Sequence, residues 1–359
     1  MKLKNKVLAA LLGVSMLLCS CSESSSQTNI SSSSKAQTEQ TTTTTQQTSE
    51  QTTTTSATEQ TSQTETSSQS PEQKTPQGVP MWEGTAPNGN KITFLGSMHA
   101  AKSDFYPLPD KIMSAYNAAD VVAFECDTEA TESEQGMLEI YQQMTYSDNT
   151  QLKDKLSPEA YAIFSKHMTE LGSSAEIYQS FKPWAAYEMI NSLWIIDSEI
   201  SVSNGIDYYL LHKTKTDNKT LVELESAQIQ IDMLSGQSDK TYDALIKATV
   251  NDTKQTAQND LKQLYELWLK GDLDAISNME AGTSDEDLKK LGLTDEDISL
   301  LAAYGKATNA DRNPGMAAKI KELFASGKKT MVCVGTAHYL GETGIIALLE
   351  KEGYTFKRI

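Results

Sequence analysis

Lys91-Ile92-Thr93-Phe94-Leu95-Gly96-Ser97-Met98-His99 and Thr330-Met331-Val332-Cys333-Val334-Gly335-Thr336-Ala337-His338 lie more than 200 residues apart but share one pattern. An apolar β run meets a glycine, then two residues, then a histidine. Continuous apolar runs of this length suit strands covered on both faces. Glycine lets the chain turn sharply on leaving such a strand. Residues just beyond the carboxyl ends of sheet strands line the crevice where α/β proteins bind ligands. A histidine there can ligate a metal or move a proton near neutral pH. The chain has only four histidines, and this pattern holds two of them. The pair therefore predicts an α/β (mixed α+β) fold in which both ends of the segment supply strands to one site.

The residues between the two runs support that reading. Met81–Thr85 and Lys91–Gly96 flank Pro87-Asn88-Gly89-Asn90, a hairpin signal whose Asn-Gly favours a type I′ turn. Val121-Val122-Ala123-Phe124 is a short covered strand ending at Glu125. Lys219–Glu225 reads as another, ending at Glu225. Between about 133 and 203, and again between 227 and 308, apolar residues recur every three or four positions, which predicts a long helical insert. Ser157-Pro158 marks a helix start, and Thr294 another. A helix over about 314–326 precedes the second histidine run. Helix 344–352, with Gly353 after it, and strand 354–359 close the chain.

The 359 residues divide into three parts. Residues 1–20 carry three lysines and then an apolar run, Val7–Leu18, too short to span a bilayer comfortably. They read as a signal peptide. Leu18-Cys19-Ser20-Cys21 resembles a bacterial lipobox, which implies cleavage before Cys21 and lipidation of its thiol. Residues 21–79 are Ser, Thr and Gln with little else and cannot bury enough apolar surface to offset ordering. As a coil they would reach roughly 40 Å. The expectation is a cell-membrane protein, lipid-anchored on the extracytoplasmic face, with residues 80–359 as its domain. A net charge of −17 argues against a nucleic-acid partner. Cys126 and Cys333 lie in apolar runs, where two buried thiols are the simpler reading and a disulfide the other.

His99 and His338, with Glu125 and Glu225 at comparable strand ends, make a donor set suited to a divalent metal such as Zn, Mn, Co or Fe. A metal there would polarise a carbonyl and acidify bound water, and a carboxylate would take the proton. Arg312, at a helix start, could meet a developing oxyanion or pair with Glu125. Glu225, among polar neighbours, could equally face solvent. His167 and His212 read as helix-surface residues. Gly96 and Gly335 are read as turn residues. No Gly-rich phosphate loop, Gly-x-Ser-x-Gly elbow, HExxH or CxxC occurs, which weakens nucleotide, serine-hydrolase and zincin readings.

Gly96-Ser97-Met98-His99, Ala119–Glu125, Lys182-Pro183-Trp184, Gly205-Ile206-Asp207, Leu224-Glu225-Ser226 with Gln230, Arg312-Asn313 and Gly335-Thr336-Ala337-His338 occur in an order that resembles the TraB/GumN (Tiki-like) family. The resemblance implies two half-sheets, each bearing a Gly-x-x-His motif, meeting at one site. It also implies a metal-dependent hydrolase, with peptidase activity in animal members. By position His99, His338, Glu125 and Arg312 match its motif residues. Cys126 after Glu125 and Ser226 depart from the commoner pattern. The implied substrate is a peptide or small molecule, and a homodimer is among the allowed assemblies. The competing reading is a non-catalytic lipoprotein that binds haem or a pheromone-like peptide, with Tyr339 as a candidate axial ligand.

Overall fold

The structure, a computed structural model, describes residues 78–359; the expected signal peptide, the lipidated Cys21 and nearly all of the tether lie outside the described residues. The strands are β1 Met81–Thr85, β2 Lys91–Ser97, β3 Ala101–Lys102, β4 Val121–Phe124, β5 Ile200–Ser201, β6 Thr220–Glu223, β7 Thr330–Gly335 and β8 Thr355–Arg358. Six of them form one mixed sheet in the order β6-β4-β7-β2-β1-β8. The contiguous block β6-β4-β7-β2 is parallel, and β1 and β8 add on antiparallel. A separate ribbon pairs β3 with β5.

Both histidine-bearing strands are therefore immediate neighbours. β2 pairs with β7 in parallel register, with Gly96 opposite Val334 and Ser97 opposite Gly335. Parallel neighbours end at the same edge of the sheet, so two segments distant in sequence leave it side by side. β4 flanks β7 on the other side and brings Glu125 to that edge.

Alternation along the strands sorts side chains into two cores. Leu95, Val122, Phe124, Met331 and Cys333 join the larger one, covered by the helical insert. Phe94, Ala123, Val332 and Val334 join the other, under helices Asn313–Ser326 and Ile345–Glu350. The apolar runs are continuous because both faces are buried. The most deeply buried insert helix, Pro183–Ile195, exposes little of any face, as its apolar composition requires. The expected caps form: Ser157 accepts from the Ala160 N–H, and Thr294 from that of Asp297.

Two expectations need correction. The β1–β2 connection is not a type I′ turn. Among the Ala86–Asn90 residues only Gly89 has positive φ, and its N–H donates to Ala86 O. Pro87 fixes a negative φ at the first central position, which selects a type I turn followed by a left-handed glycine. His167 is not at the surface. It is fully buried, its Nε2 is 3.1 Å from Thr249 O and 3.0 Å from Thr249 Oγ1, and its ring meets Trp194 edge-on. Its polar neighbours misled: it shares a helical stripe with Ala160, Ile163 and Phe164. His212 is exposed and pairs with Glu129.

Candidate active site

Glu125 is the hub. It follows β4, is buried, and accepts 2.8 Å hydrogen bonds from the Gly335 N–H at Oε1 and from Arg312 Nη2 at Oε2. His99 Nε2 stands 3.7 Å from Oε1, and His338 Nε2 stands 3.8 Å from Oε2. The two imidazoles thus flank one carboxylate, each just beyond hydrogen-bond distance.

Space explains the two glycines better than turning does. Neither Gly96 nor Gly335 has a positive φ. A Cβ on Gly335 would lie 3.0 Å from His99 Nε2 and 3.1 Å from Glu125 Oε1; one on Gly96 would lie 2.8 Å from Thr336 Oγ1. Only a bare backbone lets the ring and the carboxylate close in on the strand end. The Gly96 carbonyl is satisfied by Trp268 Nε1 at 2.8 Å.

Each histidine is oriented from behind. His99 Nδ1 is hydrogen-bonded to Asp207 Oδ2, in the first turn of helix Ile206–Thr216. Burial alone would lower the His99 pKa, but Asp207, helped by Glu125, outweighs it and raises the pKa to about 9. His338 Nδ1 is 2.7 Å from Asn313 Oδ1. The Asn313 amide cannot be reversed, because its Nδ2 donates to Thr343 O at 2.9 Å and to Asn309 Oδ1 at 3.1 Å. His338 must therefore carry its proton on Nδ1 and present a bare lone pair at Nε2. Burial drives its pKa down to about 3, so the ring is neutral.

Arg312 precedes helix Asn313–Ser326 and follows a π-helical turn, Lys306–Ala310. Its Nε binds both oxygens of Glu225 at 3.1 and 3.2 Å, its Nη2 contacts Glu225 Oε1 and Glu125, and its Nη1 donates to Thr308 O at 2.9 Å. Glu225 is buried rather than solvated, and Gln230 Nε2 donates to it at 2.8 Å. Burial alone would raise the Glu125 pKa. The imidazole of His338, the Arg312 guanidinium, the His99 ring and the Gly335 N–H together hold it well below the usual carboxylate range.

A hollow of about 330 Å³ opens above these groups, lined by His99, Glu125, Cys126, Asp207, Tyr208 and Gln230 among others. On its lining, Asp207 and Gln230 each keep one buried oxygen, Oδ1 and Oε1, with no hydrogen-bond partner among the described residues. Cys126 and Cys333 are both free and buried, and burial pushes their thiols well up. Tyr339 turns away: its ring packs on Trp82 and Phe94 in the opposite core.

A family model, TraB/PrgY/gumN, matches residues 80–358. The chain belongs to the TraB/PrgY/gumN family. It is similar to the YbaP proteins of Escherichia coli (strain K12) and Shigella flexneri, at 25% identity over 185 residues in each case. That similarity covers 52% of this chain and 66% of each relative's length. No solved structure matches the chain. Asp207, Asn313 and Gln230 were not assigned as site residues from the sequence, although each lies in a stretch that resembles the TraB/PrgY/gumN family. Their signal was positional: polar residues at helix starts, or one helical turn inside, beside a site residue.

Among the described residues no group of three or more His, Cys, Asp or Glu side chains is arranged to hold a metal ion as it stands. The donor chemistry nevertheless fits a cation. With His338 Nδ1 protonated, its bare Nε2 lies 3.8 Å from Glu125 Oε2, which itself accepts from Arg312 Nη2 and, at 3.4 Å, from Gln230 Nε2; the ring nitrogen is the acceptor left open to a cation. The residues that would hold it are His338 and Glu125, with His99 once it gives up its Nε2 proton. Glu225 is taken up by Arg312 and Gln230.

Proposed function

We propose that this member of the TraB/PrgY/gumN family is a metal-assisted hydrolase of amide bonds, probed first with peptides. The observation that carries it is the bare lone pair at His338 Nε2, its tautomer fixed by Asn313, beside the ionised Glu125. When bound, a divalent ion would supply an acidified water and a polarised carbonyl. The chain's own groups do the rest. Asp207 and Asn313 fix the two rings, so that each Nε2 stays beside one oxygen of Glu125. Arg312 and the Gly335 N–H hold Glu125 ionised and immobile. Arg312 acts as this clamp rather than as a contact to substrate, because its nitrogens are occupied by protein acceptors. Asp207 Oδ1 and Gln230 Oε1 are free acceptors on the lining of the hollow. They suit a substrate that brings an N–H, which favours an amide over an ester.

The same proposal places the domain on the extracytoplasmic face of the membrane, held through Cys21 and the Ser/Thr/Gln segment. The haem-binding alternative loses its proposed axial ligand, since Tyr339 lies in the other core. The test is metal analysis of the purified protein and peptide-library digestion with and without chelator. His99→Ala and His338→Ala should each remove the metal and the hydrolysis while far-ultraviolet circular dichroism stays native. Unchanged metal content in both variants would overturn the proposal.

A further inference from the structure

The helical insert contains a second hollow, larger than the first, at about 820 Å³. Its walls come from helices Asp239–Ala248, Leu273–Glu280, Asp285–Lys290 and Asp295–Gly305 and from the turn after Glu280. Leu245, Leu288, Leu301 and neighbouring alanines make it mainly apolar. None of its lining residues belongs to the cluster around Glu125.

One charged group faces this space, and it stands where folding alone would not favour it. Glu280 ends helix Leu273–Glu280, so its carboxylate meets the negative end of the helix dipole. No cation and no hydrogen-bond donor partners it among the described residues, and burial pushes its pKa up to about 7. A half-buried carboxylate without a protein partner, bordering an apolar hollow, is free to meet the charge of a ligand. Gly305, exposed and also on the lining, leaves open space where a side chain would stand: nothing lies within 4 Å of a Cβ built there.

We infer that this hollow binds a small amphiphile with an aliphatic body and a protonated amine head. The body would lie against Leu245, Leu288 and Leu301, and the ammonium would pair with the Glu280 carboxylate. The strongly acidic chain would also draw such a cation in from solution.

The test is isothermal titration calorimetry of the full chain with n-octylammonium chloride and, separately, sodium octanoate. Octylammonium should bind at least about tenfold tighter than octanoate, the scale of one charge-assisted hydrogen bond. Glu280→Gln, which removes an unfavourable charge and so should fold, should bring the two within about threefold. Gly305→Leu should weaken octylammonium by filling the cavity. The inference is overturned if the native chain binds neither probe or both equally, or if Glu280→Gln leaves octylammonium binding unchanged.

Discussion

Glu125 and Glu188 are the same residue type, both almost wholly buried, and the molecule holds them in opposite charge states. Glu125, at the sheet edge, has a guanidinium and a backbone N–H on its two oxygens and stays ionised. Glu188, inside the helical insert, has one long contact, 3.4 Å from Tyr304 Oη, and its Oε2 has no partner. Burial pushes its pKa up to about 8. Burial therefore does not decide the charge of a carboxyl; the donors supplied to it do. The sheet edge spends an arginine to keep a charge, while the insert keeps its glutamate protonated.

The sharpest way to break the contrast is to remove the arginine. Arg312→Met leaves Glu125 and Glu225 buried without their cation and should cost about 3–5 kcal/mol in urea unfolding. A loss below about 1 kcal/mol would show that the two carboxylates need no clamp.

The converse experiment removes the acid in the insert. The Glu188 pKa is raised from its usual 4.5 to about 8 on folding. Between those values the unfolded chain releases a proton that the folded chain retains. The contribution of Glu188 is thus intact below about pH 4.5 and is lost as pH rises toward 8. Glu188→Gln should be nearly neutral at pH 4.5 and stabilising by about 4 kcal/mol at pH 8, so the two stability profiles diverge with pH. Parallel profiles would mean that Glu188 ionises freely.

Asn313→Ala tests the orienting layer with a smaller effect. Loss of the acceptor that fixes the His338 tautomer should weaken the divalent-metal binding proposed above about tenfold, and the buried partners left behind should lower stability by about 1–3 kcal/mol in urea unfolding. The smallest effect is expected at the surface. His212→Ala removes an exposed pair with Glu129 and should change stability by less than about 0.5 kcal/mol.

The strands were legible because their apolar runs are continuous and end on residues that cannot stay in a core. Glu125 after Phe124 and His99 after Gly96 announce an edge. The adjacency of β2 and β7 was not written locally; it follows from parallel pairing across more than 200 residues. Asp207 and Asn313 stayed unassigned for a related reason. A polar residue in the first turn of a helix ordinarily reads as a cap or a solvated group, and only the packed sheet shows that it stands behind a histidine. His167 erred in the other direction, because Ser165 and Lys166 look exposed while the helical stripe carries their neighbour inward.

The π-helical turn Lys306–Ala310 carries one more consequence. Its wider winding, closed by the Asp311 N–H on Lys306 O at 3.0 Å, sets the phase at which the chain arrives at Arg312. Shortening this stretch by a single residue would swing the guanidinium about 100° around the axis, away from both acids. The length of that stretch, more than the identity of its side chains, therefore fixes where the guanidinium lands.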